Sequence, residues 1–336
     1  MLRFTLRRAV LMVFMLLGLL LITFTISHIA PSDPAALAAG PDANVAMIER
    51  YRVEYGLDRP LYEQFAIYLQ RLLTGNWGKS IHTTRQVWDD LVSYFPNTVE
   101  LVAFSILIAV ALGVPLGVIA AVNQNRATDH IIRILTVSGV AMPMFWLGLM
   151  AQLYFALHLG WFPLGGRIEM MTDPPEAITH LLLVDSLLRG QFGTFAEGLH
   201  HIVLPSVALC LPALASIIRV NRAEMLETLK QDYIVNARAH GLSTFRIVAL
   251  YALKNAMLPT MAMIGLRFGW MLGGTVLVET VFDWPGIGLY AVQAAISSDF
   301  EPIMGATIVL GFFFMMTNFV IDLIYGILDP RVRTQV

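Results

Sequence analysis

Residues 97–122 read NTVELVAFSILIAVALGVPLGVIAAV, twenty-six positions with a single charge, Glu100. A bilayer core is about 30 Å thick, and about 20 apolar residues cross it as a helix. Lipid offers no partner to a free N–H or C=O, so such a stretch must satisfy its backbone within itself, as a helix does. Five more stretches read the same way: 9–30, 134–157, 202–218, 256–278 and 303–327, of which 202–218 is the shortest. The expected fold class is all-α integral membrane, with six transmembrane helices.

Composition points the same way. Of the 336 residues, 57% are hydrophobic and 14% charged, where a soluble chain carries about 25% charged residues. Mean hydropathy is +0.68, too apolar for one aqueous core to hide. A net charge of -2 gives no basic field for nucleic acid. The single cysteine, Cys210, excludes an intramolecular disulfide and reads as a small packed hydrophobe.

Arg3, Arg7 and Arg8, an apolar run and then Ala36-Leu37-Ala38 imitate a secretory signal. A signal's apolar core is about 7–15 residues, shorter than this run, so an uncleaved first span is expected. With the N-terminus in the cytoplasm, thirteen Lys and Arg fall on cytoplasmic segments and eight on the much longer outside loops. That is the bias of the positive-inside rule, and it places both termini in the cytoplasm. Three regions follow: 1–30, the cytoplasmic tip and first span; 31–96, a large periplasmic loop with short helices; and 97–336, the core with a cytoplasmic loop at 219–255.

In the first outside loop, Asp58 and Pro60 suit a helix start. Leu61, Phe65, Tyr68, Leu69, Leu72 and Leu73 then recur at helical spacing, and Gly75 suits a stop. A second short helix is expected around Val87, Trp88, Leu91 and Phe95. The loop either covers the outer mouth of the bundle or docks a soluble partner, and the two are compatible. Gly75-Asn76-Trp77-Gly78-Lys79-Ser80 imitates the end of a phosphate-binding loop. The full pattern needs a glycine where Leu73 stands and a preceding strand, so ATP binding is rejected here. The second outside loop carries Trp161, Pro163, Gly165, Gly166, Pro174 and Pro175 and reads as turns. His200 and His201 are adjacent and point apart on a helix, a poor metal pair.

The cytoplasmic loop predicts a helix from Glu224 to about Ala239, with Leu226, Leu229, Tyr233 and Ala237 on one face. Gly241 stops it and Ser243 caps a second helix leading into span five. From the residues alone this is a two-helix hook at the membrane surface, which an ordinary amphipathic connector also satisfies.

The stretch Asp232-Tyr233-Ile234-Val235-Asn236-Ala237-Arg238-Ala239-His240-Gly241-Leu242 resembles the cytoplasmic loop of binding-protein-dependent ABC permeases, in the branch that imports dipeptides, oligopeptides, nickel and glutathione. Lys254-Asn255-Ala256-Met257-Leu258-Pro259, Glu279 to Gly288, Met142-Pro143-Met144-Phe145-Trp146 and Asp329-Pro330-Arg331 extend the likeness over essentially the whole chain. The resemblance implies the ABC type I importer permease fold and a channel-forming subunit that catalyses nothing and binds no cofactor. ATP and Mg would sit in two cytoplasmic ATPase subunits. A second homologous permease, a periplasmic peptide-binding protein and inner-membrane lipid complete the implied partners, and nickel or glutathione are alternative cargoes. It also implies that Asp232, Tyr233, Ala237, Arg238, Ala239 and Gly241 couple to an ATPase. Gly241 would allow the turn, Ala237 and Ala239 a close approach, and Asp232 and Arg238 the register. Where the wider family opens this motif with Glu-Ala-Ala, this chain has Val235, Asn236 and Ala237, so no ion pair from that glutamate is implied.

Arg267 lies near the middle of span five. A central arginine costs about 2.5–3.5 kcal/mol on insertion scales, so it should either line a watery path or pair with an acid, from a second permease subunit or from this chain, where Asp322 is the candidate though nearer the cytoplasmic end of span six. Arg267 and Glu279 are the expected translocation-path residues, and Phe145, Trp146, Trp284 and Gly286 are expected to gate or to pack. Gly265, Gly269 and Gly273 step by four, a stripe that allows close helix approach, which suits a subunit interface along the pore or packing within this chain alone. Two other classes fare worse. An intramembrane protease needs a Gly-x-Ser-x-Gly or His-Glu-x-x-His motif in a span, and neither occurs. A self-sufficient carrier favours intramembrane acids and an inverted repeat, and the spans offer one central charge.

Overall fold

The computed structural model describes residues 2–29, 43–54, 56, 58–169 and 171–328. Ala36-Leu37-Ala38, Asp329-Pro330-Arg331 and Arg333 lie outside the described residues. In chain order the helices are α1 (Leu2–Ile29), α2 (Val45–Glu54), α3 (Leu61–Leu73), α4 (Val87–Val122), α5 (Ala127–Ala141), α6 (Met144–Ala151), α7 (Leu182–Leu188), α8 (Phe192–Thr228), α9 (Asp232–Ala239), α10 (Thr244–Arg246), α11 (Leu253–Val281), α12 (Ile287–Ile296) and α13 (Phe300–Leu328). Wide-turned π segments follow α6 at Gln152–His158 and α10 at Ile247–Ala252.

Among the described residues, five helical stretches are long and apolar enough to cross a membrane: Thr5–Ile26, Val87–Val122, Phe192–Thr228, Thr244–Val281 and Phe300–Leu323. The sixth expected span is a bent pair. Ala127–Ala141 and Met144–His158 meet at 102°. The cause is local. Pro143 has no N–H and forces the residue before it out of helical geometry, and Met142 is extended at φ -93°, ψ 135°.

Two other boundaries differ from expectation. The short helix at Val87 and the second span form one 36-residue helix that runs through Pro96. Its outer turns are anchored by buried Val87 and Leu91 against Ile287, Tyr290, Ala306 and Val309. The fourth span grows from 202–218 to the whole of α8. Its polar ends are held by protein contacts, so hydropathy alone underestimated it.

The core sits where α4 and α8 run side by side in the same direction. A Cβ on Gly113 would meet the Ile217 side chain at 2.9 Å, and one on Gly117 the Asn221 oxygen at 2.7 Å. Leu101, Val102, Ala109, Ile202, Leu209, Cys210 and Ile217 fill this seam. Lipid is as apolar as these side chains, so close approach and not water exclusion holds such helices together. Ile134, Leu135 and Val137 of α5 remain exposed, as lipid-facing residues should. Loop expectations held at α3, which follows Pro60 and ends at Leu73, with Gly75 at φ +81°.

Candidate functional site

At the end of the bundle that charge bias assigns to the cytoplasm, α8 stops at Thr228 and a turn over Leu229–Gln231 precedes α9, so the helix expected from Glu224 to Ala239 is two helices. The turn rotates the apolar face. Ile234, not Tyr233, is fully buried, together with Ala237, Ala121, Met225, Ile247, Ala252 and Ala256. Ala237 is thus spent on this chain's own core and presents no surface to a partner, whereas Ala239 is exposed. Asp232, Tyr233 and Arg238 are exposed on the outer face of α9. Neither Asp232 nor Arg238 has an ion-pair partner among the described residues. The Tyr233 hydroxyl accepts from Asn255 Nδ2 at 2.7 Å, tying α9 to the start of α11.

Gly241 closes the hook at φ +75°, where an L side chain is disfavoured, and its N–H donates to Arg238 O at 2.9 Å. Ser243 caps α10 as expected, its hydroxyl accepting from Arg246 N. Beyond it Phe245 is 82% exposed, and Leu250 and Val235 also stand clear. Beside the hook, Arg222 grips Asp129 through two bonds of 2.7 Å, and Asn125 N donates to the same carboxylate. The hook is therefore fixed on its underside and bare, part apolar and part charged, on its other side.

Midway along α11, Arg267 lines an open pocket of about 280 Å³ with Met144, Leu209, Pro212, Trp270, Met271 and Phe314. Asp322 does not reach it, being paired with Arg8 at 2.7 Å. No carboxylate within this chain's described residues pairs with Arg267. Of the glycine stripe, Gly265 abuts Ile321 and Gly269 abuts Phe314 and Asn318, all on α13 of this chain. Only Gly273 is open. Phe145 and Trp146 follow the bend on α6 and are both exposed.

At the opposite end of the bundle the expected path residue Glu279 is 0% exposed. Its carboxylate accepts from Thr98 Oγ1 at 2.8 Å and Leu289 N at 3.1 Å. It lines no open surface in this conformation. Gly286 and Gly288 leave room for it, since a Cβ on either would run into its carboxylate. Trp284 is buried too, its Nε1 donating to Asn97 O at 2.9 Å with Arg167 stacked 5.7 Å over its ring. Gly286 and Trp284 are packing residues here.

Sequence reasoning passed over the other partners at this end. Glu100 pairs with Arg167 and accepts from Leu183 N at 2.7 Å. Asp185 is buried, which alone would raise its carboxyl. Bonds from the Thr179 hydroxyl and from the Thr179 and Ile178 amides hold it below the usual carboxylate range instead. Ser80, the last residue of the stretch that imitates a phosphate site, does meet an anion, since its Oγ and the N–H groups of Ile81 and His82 donate to the distant Asp299 carboxylate at 2.7–3.1 Å. His200 and His201 each aim a ring nitrogen at backbone carbonyls of the 161–166 turn.

Comparison with known proteins shows the family. The family described as "Binding-protein-dependent transport system inner membrane component" matches residues 113–334, and its N-terminal companion, "Binding-prot-dependent transport system membrane comp, N-term", matches residues 1–102. The probable D,D-dipeptide transport system permease protein DdpB of Escherichia coli K12 is 43% identical over 96% of this chain and 94% of its own length. The di/tripeptide transport system permease protein DppB of Pseudomonas aeruginosa is 37% identical over the full length of both. The glutathione transport system permease protein GsiC of an Escherichia coli O1:K1 strain is 35% identical over 95% of this chain and 97% of its own.

Proposed function

Since this chain belongs to the family of binding-protein-dependent transport system inner membrane components, we propose that it is the permease subunit of an ATP-driven importer of dipeptides and short oligopeptides. The observation that carries the reading is the hook. Its underside is locked to α4, α8 and α11, while Asp232, Arg238, Ala239, Val235 and Phe245 are exposed on its other side, beside Tyr233, whose ring is exposed and whose hydroxyl is tied to Asn255. A rigid element anchored to a span and bare on its other side is suited to pass on a push. An ATPase closing on ATP displaces it, and Ile247, Ala252 and Ala256 carry the displacement into α11, where Arg267 lies.

In this reading two ATPase subunits bind ATP and Mg, and this chain supplies no catalytic group. A second permease completes the channel, and a periplasmic peptide-binding protein delivers cargo to the outer end. Both termini lie in the cytoplasm of a bacterial cell. Glutathione is the second cargo to test, because GsiC matches over 95% of the chain at 35% identity. Affinity purification of the tagged chain should bring down a second permease and two ATPases, and uptake of labelled dipeptide should stop when ATP hydrolysis is blocked. Purification of the chain alone, with uptake that persists without ATP, would mean a self-sufficient carrier.

A further inference from the structure

We propose that the pocket around Arg267 is a mid-membrane station for the carboxylate of the transported solute, an inference that rests on the peptide-importer reading above. Arg267 sits fourteen residues from both Leu253 and Val281, about 21 Å of helix from either end of α11. A cation at that depth is held only if something offsets its lost hydration. The described residues of this chain offer it no carboxylate. Asp322 is engaged by Arg8, and Glu279 is enclosed by Thr98 and Leu289 near the end of the helix. Lipid phosphates lie about 15 Å from the midplane and do not reach it.

The walls select for a small solute bearing an anion. Met144, Leu209, Pro212, Met271 and Phe314 are apolar, Trp270 adds an aromatic face that is 69% exposed, and the guanidinium is the single charge lining the pocket. A carboxylate entering here meets one donor fork and no competing acid, in surroundings that strengthen the attraction. Gly273 and Gly274 remove side chains from the same wall. The volume of about 280 Å³ lies just under the range of about 300–1,000 Å³ typical of small-ligand sites. That is more room than the head of one acidic side chain from a neighbouring subunit needs.

The test uses the whole complex, with its second permease, ATPases and binding protein, in proteoliposomes taking up a labelled dipeptide. Arg267→Gln should lower the uptake rate about tenfold or more, Arg267→Glu should lower it further, and Arg267→Lys should keep most of it. Co-elution of the subunits should stay as in the wild type. Unchanged uptake in Arg267→Gln, or equal losses in the Gln and Lys variants, would overturn the proposal. So would failure of Arg267→Gln to co-elute with the second permease, because the arginine would then be pairing with that subunit. A wild-type complex that takes up no dipeptide would instead sink the importer reading itself.

Discussion

Glu279 is legible in the chain only as an acid at the outer end of a span, next to a Trp-Pro-Gly turn. Its role depends on what lies opposite: Thr98 from α4, the Leu289 amide from α12, and two glycines whose missing side chains leave its carboxylate space. A buried carboxylate without such donors would be costly, so this cluster stands or falls together. At Gly288 a Cβ would also come within 2.6 Å of the Val276 Cα, a backbone atom that cannot swing aside. Gly288→Ala should therefore destabilise the protein by about 1–3 kcal/mol and lower its melting temperature in detergent. Gly193→Ala, where nothing lies within 4 Å, should leave it unchanged or slightly raised. Equal melting temperatures for the two variants would contradict the close approach.

Among the elements, the hook separates local from non-local information most clearly. Gly241 and Ser243 were readable because a left-handed turn and a side-chain cap are properties of a few consecutive residues. The turn at Leu229–Gln231 carries no glycine or proline, and continuing the helical period across it put Tyr233 on the buried face where Ile234 belongs. At the third crossing Pro143 was visible, but membrane helices tolerate proline too often for it to announce a 102° bend. The backbone at Gly241 gives a direct test of coupling. A Cβ there meets nothing within 4 Å, so the cost of a substitution is conformational alone. Gly241→Val should cost about 1–2 kcal/mol locally and lower the transport obtained per ATP hydrolysed. Gly241→Asn, which tolerates positive φ, should behave nearly as wild type. A normal transport-to-hydrolysis ratio in Gly241→Val would separate the hook from coupling.

For the molecule as a whole, charge bias sets the expected orientation, with the hook in the cytoplasm, and labelling from either face checks it. In a Cys210→Ser background, Met171→Cys, at a position 99% exposed on the outer end, should react with a membrane-impermeant maleimide added from the periplasmic side. His240→Cys, exposed on the hook, should react only once the inner membrane is opened. The reverse pattern would invert the topology and put the hook beyond reach of any cytoplasmic ATPase.

Five of the six expected spans, the hook with its glycine and cap, and membership of a transport family were all readable from the chain, because lipid imposes its demands segment by segment and a turn is written in neighbouring residues. The pairings of Arg8 with Asp322, Asp129 with Arg222, and Glu279 with Thr98, and the open state of Arg267, belong to the assembled bundle. Each joins helices far apart in sequence, and which polar groups meet is fixed by how closely glycines such as Gly113, Gly117 and Gly265 let those helices approach.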